Sequence, residues 1–258
     1  MNTKLIILDW AGTAVDYGCF APVGAFALAF RSAGLEPIEE EIRQPMGMLK
    51  KDHIRTMLAM PRLHAQWTEK YGAEPDEAAV EIIYGAFEDS LMRSLEQYAA
   101  PKPGVVETVT KLREMGLKIG STTGYTDAMM AVVTENAAKQ GYAPDAWFSP
   151  DSVDGLGRPN PYMIFANMQK FQVPSVQVVV KVGDTVSDIQ EGRNAGVRSL
   201  GVLEGSSVMG MTQAAYEALS AEKKQAALDR ARQVFLEAGA DDVQLNIEQL
   251  PAWIQAND

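Results

Sequence analysis

Short apolar runs in this chain end again and again in acids, hydroxyls or glycine, the groups that handle a phosphoryl centre. The run Leu-Ile-Ile-Leu leads into Asp9, followed by Ala11, Gly12 and Thr13. A second run ends at Thr123 and Gly124, and a later one at Asp184, with Ser187 and Asp188 close behind. Arg158 lies in the loop-like stretch DGLGRPNPY. The two strand-end acids suit a hard cation such as Mg2+, which takes a few oxygen ligands and keeps several waters. Asp9 and Asp184 would each give one oxygen and the backbone carbonyl of Ala11 a third. A cation there lowers the repulsion between the Asp9 carboxylate and an anionic phosphorus, the main barrier to carboxylate attack. Thr123 and Arg158 would hold phosphoryl oxygens, the guanidinium through paired hydrogen bonds. Gly12 and Gly124 would let backbone amides come close to phosphate. Thr13 and Asp188 would support the metal and the loop geometry. Alone, each motif is weak, since an Asp after a strand most often caps a helix. Their order, each at the end of an apolar run, carries the assignment.

Such residues need a scaffold that gathers them. Strand-like runs fall at 4–12, 117–124, 146–151, 176–185 and 197–203, and helix-period segments separate the later ones. Alternation of this kind predicts right-handed βαβ units and a parallel sheet. In open parallel sheets the site lies beyond the carboxyl ends of the strands. The run VQVVVKV does not alternate, as expected of a strand covered on both faces. The tail from about Met211 reads as amphipathic helices around a short VQLNI strand.

From about Phe20 to Tyr98 only helical segments are legible, too long a stretch for a crossover connection. The fold class is therefore α/β, a Rossmann-like parallel-sheet core with an inserted all-helical cap. The core is expected over 1–17 and 99–258 and the cap over 18–98. Asp16-Tyr17-Gly18 and Tyr98-Ala99-Ala100-Pro101 would be the hinges. Within the insert, a helical repeat of about 100° per residue over MGMLKKDHIRTMLAM puts Leu49, Ile54, Met57 and Met60 on one face. Lys50 falls near the middle of that face with His53 beside it, and Lys51 points away. An amine in apolar surroundings loses its proton more readily and becomes nucleophilic, the usual preparation for Schiff-base chemistry. The blander reading is that Lys50 snorkels to solvent and His53 merely packs.

Bulk properties narrow the partners. With 47% apolar residues in 258, the chain can bury a core. A net charge of −11 argues against nucleic acid or an anionic membrane as partner. Cys19 is the single cysteine, which leaves no disulfide framework and no thiolate cluster. No segment approaches the roughly 20 apolar residues of a membrane span, and the first residues show no signal-peptide pattern. The expectation is a soluble, acidic, cytoplasmic protein.

LIILDWAGTAVD, the Thr123 strand end, Arg158 and VGDTVSDIQEGRNAG resemble the four motifs of the haloacid dehalogenase superfamily. The helical insert is similar to that superfamily's first cap type, and the likeness covers essentially the whole chain. It implies a Mg2+-dependent phosphoryl-transfer enzyme with Asp9 as nucleophile. One departure matters. Phosphatases and mutases of the superfamily carry a second Asp two residues on, which protonates the leaving oxygen, and here that position is Ala11. Loss of such an acid costs about 10²–10⁴ in rate. DWAGTAVDYGCFAP, PMGMLKKDH and STTGYT bear a closer resemblance to the phosphonoacetaldehyde hydrolases (phosphonatases). That resemblance implies a small phosphonate substrate whose aldehyde forms an imine with Lys50, proton transfers assisted by His53, and Cys19, Met46 and Tyr125 lining the site. It also implies a homodimer, joined through the apolar helix PVGAFALAF. Two other readings stay open: a phosphate-ester phosphatase or phosphomutase of the same fold, and a binding module that keeps the metal site without chemistry.

Overall fold

Parallel register decides where the strand ends meet. The computed structural model describes residues 2–257; Met1 and Asp258, the outer limits of the expected core, lie outside the described residues. The strands β1 (Leu5–Leu8), β2 (Lys118–Ser121), β3 (Val179–Gly183), β4 (Arg198–Val202) and β5 (Asp242–Gln244) form one parallel sheet in the order β2-β1-β3-β4-β5. Leu8 is in register with Ser121 on one side and Val182 on the other. Asp9, Thr122 and Gly183-Asp184 therefore leave the sheet side by side. Every residue of β1 and β3 is buried, so neither strand alternates; β1 is apolar throughout, and β3 is broken only by Lys181.

One expected strand does not form. The stretch 146–151 runs along β2 and makes a single bridge, Phe148 with Thr122. Phe148 and Asp145 donate backbone N–H groups to Ser121 and Ile119 at 3.0 and 2.7 Å. Pairing ends there because Pro150 has no N–H to give. Ser149 instead caps a short 3-10 turn over Pro150–Val153. The segment is an edge that stops after two bonds.

Within the insert that follows β1 the chain makes five α-helices: α1 (Phe20–Ser32), α2 (Glu39–Arg43), α3 (Lys50–Leu58), α4 (Pro61–Tyr71) and α5 (Glu77–Ser94). Among the described residues this stretch holds no strand. Its start is fastened by Asp16, whose two carboxylate oxygens accept the first free N–H groups of α1, from Phe20 and Ala21, at 2.9 Å each. Asp76 caps α5 in the same manner, accepting from Ala79 at 3.0 Å. The insert is held by an aromatic column in which Phe26 stacks on Phe87 at 4.1 Å and on His53 at 3.8 Å. Much of PVGAFALAF is spent on this packing. Val23, Ala25, Phe26, Ala29 and Phe30 are buried, and Leu28 is the large apolar side chain of that segment left exposed, at 58%.

After the insert come α6 (Val105–Glu114), α7 (Asp127–Lys139), α8 (Tyr162–Lys170), α9 (Val186–Ala195), α10 (Gln213–Glu217), α11 (Ala221–Ala238) and α12 (Leu250–Asn257). Helix α9 matters most to the site. Thr185 caps it, with its hydroxyl bonded to Asp188 Oδ2 at 2.6 Å. Gly196 ends it in the left-handed conformation. The helix is thus fixed at both ends immediately beyond β3.

Candidate active site

Asp9 opens a tight turn in which Thr13, Ala14 and Val15 all donate to the Trp10 carbonyl, at 3.2, 2.8 and 2.9 Å. The Trp10 side chain is fully buried against Tyr142, which anchors the turn from below. Gly12 has φ +89°, and a Cβ there would fall 2.0 Å from Asp184 Oδ2. Glycine is required on both counts. Thr13 Oγ1 donates to Asp184 Oδ1 at 2.9 Å, and the Ser207 amide donates to Asp184 Oδ2 at 2.8 Å. The turn and the second acid are therefore built as one piece. Gly12→Ala is expected to destabilise the fold by at least about 1–3 kcal/mol, read as a lower urea midpoint; an unchanged midpoint would mean that Asp184 moves aside freely.

Arg158 reaches this turn from the loop before α8. Its Nη2 donates to Asp9 Oδ1 at 2.6 Å, its Nη1 pairs with Asp188 at 3.0 Å, and its Nε donates to Glu191 Oε2 at 3.0 Å. Burial works against the guanidinium charge, but Asp188, Asp9 and Glu191 outweigh it, and Arg158 holds its proton more firmly than a free arginine. These contacts go to carboxylates and, through Nη2, to the Thr122 hydroxyl and carbonyl, so Arg158 organises Asp9 while also lining the cavity beside it.

Asp9, Asp184 and Asp188 present carboxylate oxygens within 4.8 Å of one another, all buried. Burial raises the pKa of Asp9, against the pull of Arg158. Burial, reinforced by Asp9 and Asp188, pushes Asp184 well above the usual carboxylate range. Asp188 differs: burial would raise it, but Arg158 and Lys181 together bring it below its ordinary value. Crowded oxygen donors whose negative charge is poorly offset fit a hard cation. Asp9 and Asp184 are the acids least compensated by protein cations, and Ala11 lies beside them on the same turn.

The helical insert closes the other side. Asp9, Ala11, Cys19, Met46, Lys50, Thr123, Gly124, Tyr125 and Arg158 line one small cavity. Lys50 opens α3 and is 7% exposed, with Nζ 5.2 Å from the centre of the Tyr125 ring. Burial lowers its pKa to about 8, and the positive end of the α3 dipole acts in the same direction. Cys19 and Tyr125 are both held far above their ordinary pKa values, chiefly by burial, and stay neutral. Gly124 faces the insert at ordinary contact distance: a Cβ there would sit 3.4 Å from the Met48 carbonyl and 3.6 Å from Lys50 Nζ, so space alone does not demand a glycine. Thr123 Oγ1 accepts from the Tyr125 amide at 3.1 Å.

His53 is placed otherwise than a group in the cavity wall. Its ring is fully buried against Phe26 behind Lys50, without a well-formed hydrogen bond on either nitrogen. Burial, with Lys50 adding, drives its pKa well below the usual value, so it is a neutral imidazole. Gly12, Thr13, Asp184 and Asp188 likewise stand behind the lining, holding the turn and the acid cluster. Reading the sequence singles out none of Thr122, Lys181, Glu191 and Lys102, all buried close to these groups. The signal was present for two of them. A lysine inside an otherwise apolar buried strand needs a partner, and Glu191 lies one helical turn beyond Asp188, on the same face.

The comparisons agree with this geometry. A family model described as a haloacid dehalogenase-like hydrolase matches residues 3–196. A phosphonoacetaldehyde hydrolase of Lysinibacillus sphaericus is 49% identical over 254 residues, 98% of this chain and 94% of that protein. One from Bacteroides fragilis is 49% identical over 252 residues, 98% of this chain and 95% of that protein. Among solved structures, a phosphonoacetaldehyde hydrolase-like protein from Oleispira antarctica superposes with a TM-score of 0.95 at 34% identity, covering 99% of this chain and 92% of that one.

Proposed function

The chain belongs to the haloacid dehalogenase-like hydrolases, within them to the phosphonoacetaldehyde hydrolase family, and from that premise we propose that it cleaves the carbon–phosphorus bond of phosphonoacetaldehyde to acetaldehyde and phosphate. The observation that supports this most is a buried amine, Lys50, on the same cavity as a buried carboxylate, Asp9, with Ala11 where an ester phosphatase needs an acid.

In this scheme the Lys50 amine adds to the aldehyde carbon and loses water, leaving a protonated imine. The Asp9 carboxylate attacks phosphorus in line with the carbon–phosphorus bond. The bond's electron pair moves into the iminium and leaves as an enamine, so no proton is needed at the departing atom. Protonation at carbon regenerates an imine, which water hydrolyses to acetaldehyde and free Lys50. A second water cleaves the aspartyl-phosphate, and the sum consumes one water. Thr123 and Arg158 hold phosphoryl oxygens. His53, neutral and packed behind Lys50, keeps a second cation away from the amine and assists its proton transfers. Cys19, Met46 and Tyr125 exclude water from the imine.

Mg2+ is the proposed metal, held by Asp9, Asp184 and the Ala11 carbonyl with Asp188 in support, and when bound it screens the substrate's negative charge from Asp9. The insert 18–98 acts as a cap on the core 1–17 and 99–258, because Lys50 and Asp9 come from opposite sides and must converge on one molecule. The enzyme works as a homodimer.

An assay for acetaldehyde and phosphate from phosphonoacetaldehyde, with and without Mg2+, tests the reading. Neither product in the presence of the metal would overturn it. Phosphate esters offer a second discrimination. Their leaving oxygen requires a proton that Ala11 cannot give, so sugar phosphates are expected to turn over at least about 10²-fold more slowly than the phosphonate. If Ala11→Asp instead raised ester hydrolysis above phosphonate hydrolysis in the wild type, the site would be a phosphatase's.

A further inference from the structure

Three buried residues left without a task in that scheme meet behind Arg158. Thr122, just past β2, Lys181 in β3 and Glu191 on α9 are each 0% exposed. The Thr122 hydroxyl donates to Glu191 Oε2 at 2.9 Å and accepts from Lys181 Nζ at 3.0 Å and Arg158 Nη2 at 2.8 Å. A hydroxyl has one proton and two lone pairs, so its bonding capacity is fully used. Lys181 Nζ also reaches Asp188 Oδ1 at 2.7 Å and Glu191 Oε2 at 3.5 Å. A buried ion pair is a poor source of stability, since apolar residues of similar volume often do as well or better. What this network does is hold one geometry: its bonds converge on Glu191 Oε2 and the Thr122 hydroxyl, and Glu191 Oε1 alone of that carboxylate is left without a partner.

The group so held is Arg158. Glu191 grips its Nε, Asp188 its Nη1, and the Thr122 hydroxyl and carbonyl its Nη2, the carbonyl at 2.9 Å. The same Nη2 donates to Asp9 Oδ1. We propose that Thr122, Lys181 and Glu191 are a positioning platform for Arg158, and through it for Asp9 in the bond-breaking step. The proposal rests on the reaction assigned above. None of the three lines the cavity, so they are positioning residues and touch no reacting atom. In-line attack by a carboxylate demands a narrow geometry, and a displacement of about 1 Å can cost about 10²-fold in rate. Imine formation at Lys50, across the cavity, does not use the platform.

The test compares Thr122→Val, which removes the hydroxyl, with Thr122→Ser, which keeps it. Thr122→Val is expected to lower kcat for phosphate release by about 10- to 100-fold with KM nearly unchanged. Imine trapped on Lys50 by borohydride should form as in the wild type, and Thr122→Ser should recover most of the loss. A second readout needs no turnover: the Arg158 Nε–H resonance, assigned by its disappearance in Arg158→Lys, should exchange with solvent faster in Thr122→Val than in wild type or Thr122→Ser. Should Thr122→Val not fold, Glu191→Gln is read in the same two ways. Wild-type kcat in the variant, or imine trapping that falls together with phosphate release, overturns the platform. If the wild type neither traps imine nor releases phosphate, the assigned reaction fails instead. The exchange rate then decides alone, and an unchanged rate overturns the proposal.

Discussion

Lys50→Met is expected to abolish phosphate release from phosphonoacetaldehyde, with a loss on the order of 10⁴-fold or more, while the protein becomes more stable. The two halves of that result have one cause. Lys50 is almost completely buried, and a buried ammonium costs free energy that methionine, similar in length and uncharged, does not. A pKa brought down from 10.5 to about 8 corresponds to roughly 3 kcal/mol of preference against the charged form. A side chain kept for stability would not sit there as an amine. The measurements are phosphate release, a urea midpoint and borohydride trapping with substrate; the variant should show no trapped imine. Phosphate release near the wild-type rate would end the Schiff-base account.

Lys50 also gives the pH dependence a sign. Its folded pKa lies below the unfolded value, so the unfolded chain binds the extra proton between about pH 8 and 10.5. Stability from this group rises with pH across that window and is flat below it, where both states are protonated. Lys50→Met should remove the slope. Turnover follows the free amine and is expected to climb toward pH 8, since at pH 7 only about one lysine in ten is unprotonated.

Sequence pattern exposed the strand ends because a parallel sheet writes them plainly. Asp9, Thr123 and Asp184 each follow an apolar run, and register aligns those runs. Lys50 was legible for the opposite reason, a polar residue where the helical repeat calls for an apolar one. The stretch 146–151 misled because its aromatic residues suit a strand, whereas Pro150 ends the pairing after two bonds. Arg158 was visible as a cation in a loop, but its bonds to Asp9, Asp188 and Glu191 were not, since those partners are 149, 30 and 33 positions away and only folding brings them together. His53 shows the limit of helical phase: it places a ring on a face but cannot say that Phe26 will cover it.

Asp9→Asn separates the two chemistries that the cavity combines. Asparagine keeps the shape and an oxygen that can accept from Arg158 Nη2, so the turn after β1 should survive. It removes the nucleophile and one donor for the cation, and phosphate release is expected to fall by on the order of 10⁴-fold or more. The fold should not suffer. Burial raises the Asp9 pKa, so any stability linked to that shift is present at low pH and lost as pH rises through the folded value. At neutral pH the neutral amide therefore costs nothing by comparison and relieves the crowding at Asp184. Lys50 is untouched, and its imine with the aldehyde should still be trapped by borohydride. Trapped imine without phosphate in Asp9→Asn, against neither in Lys50→Met, would order the steps, imine first and phosphorus second. If Asp9→Asn prevented trapping as fully as Lys50→Met, the carboxylate would be needed to form the imine, and its assignment as the phosphorus nucleophile would have to be given up.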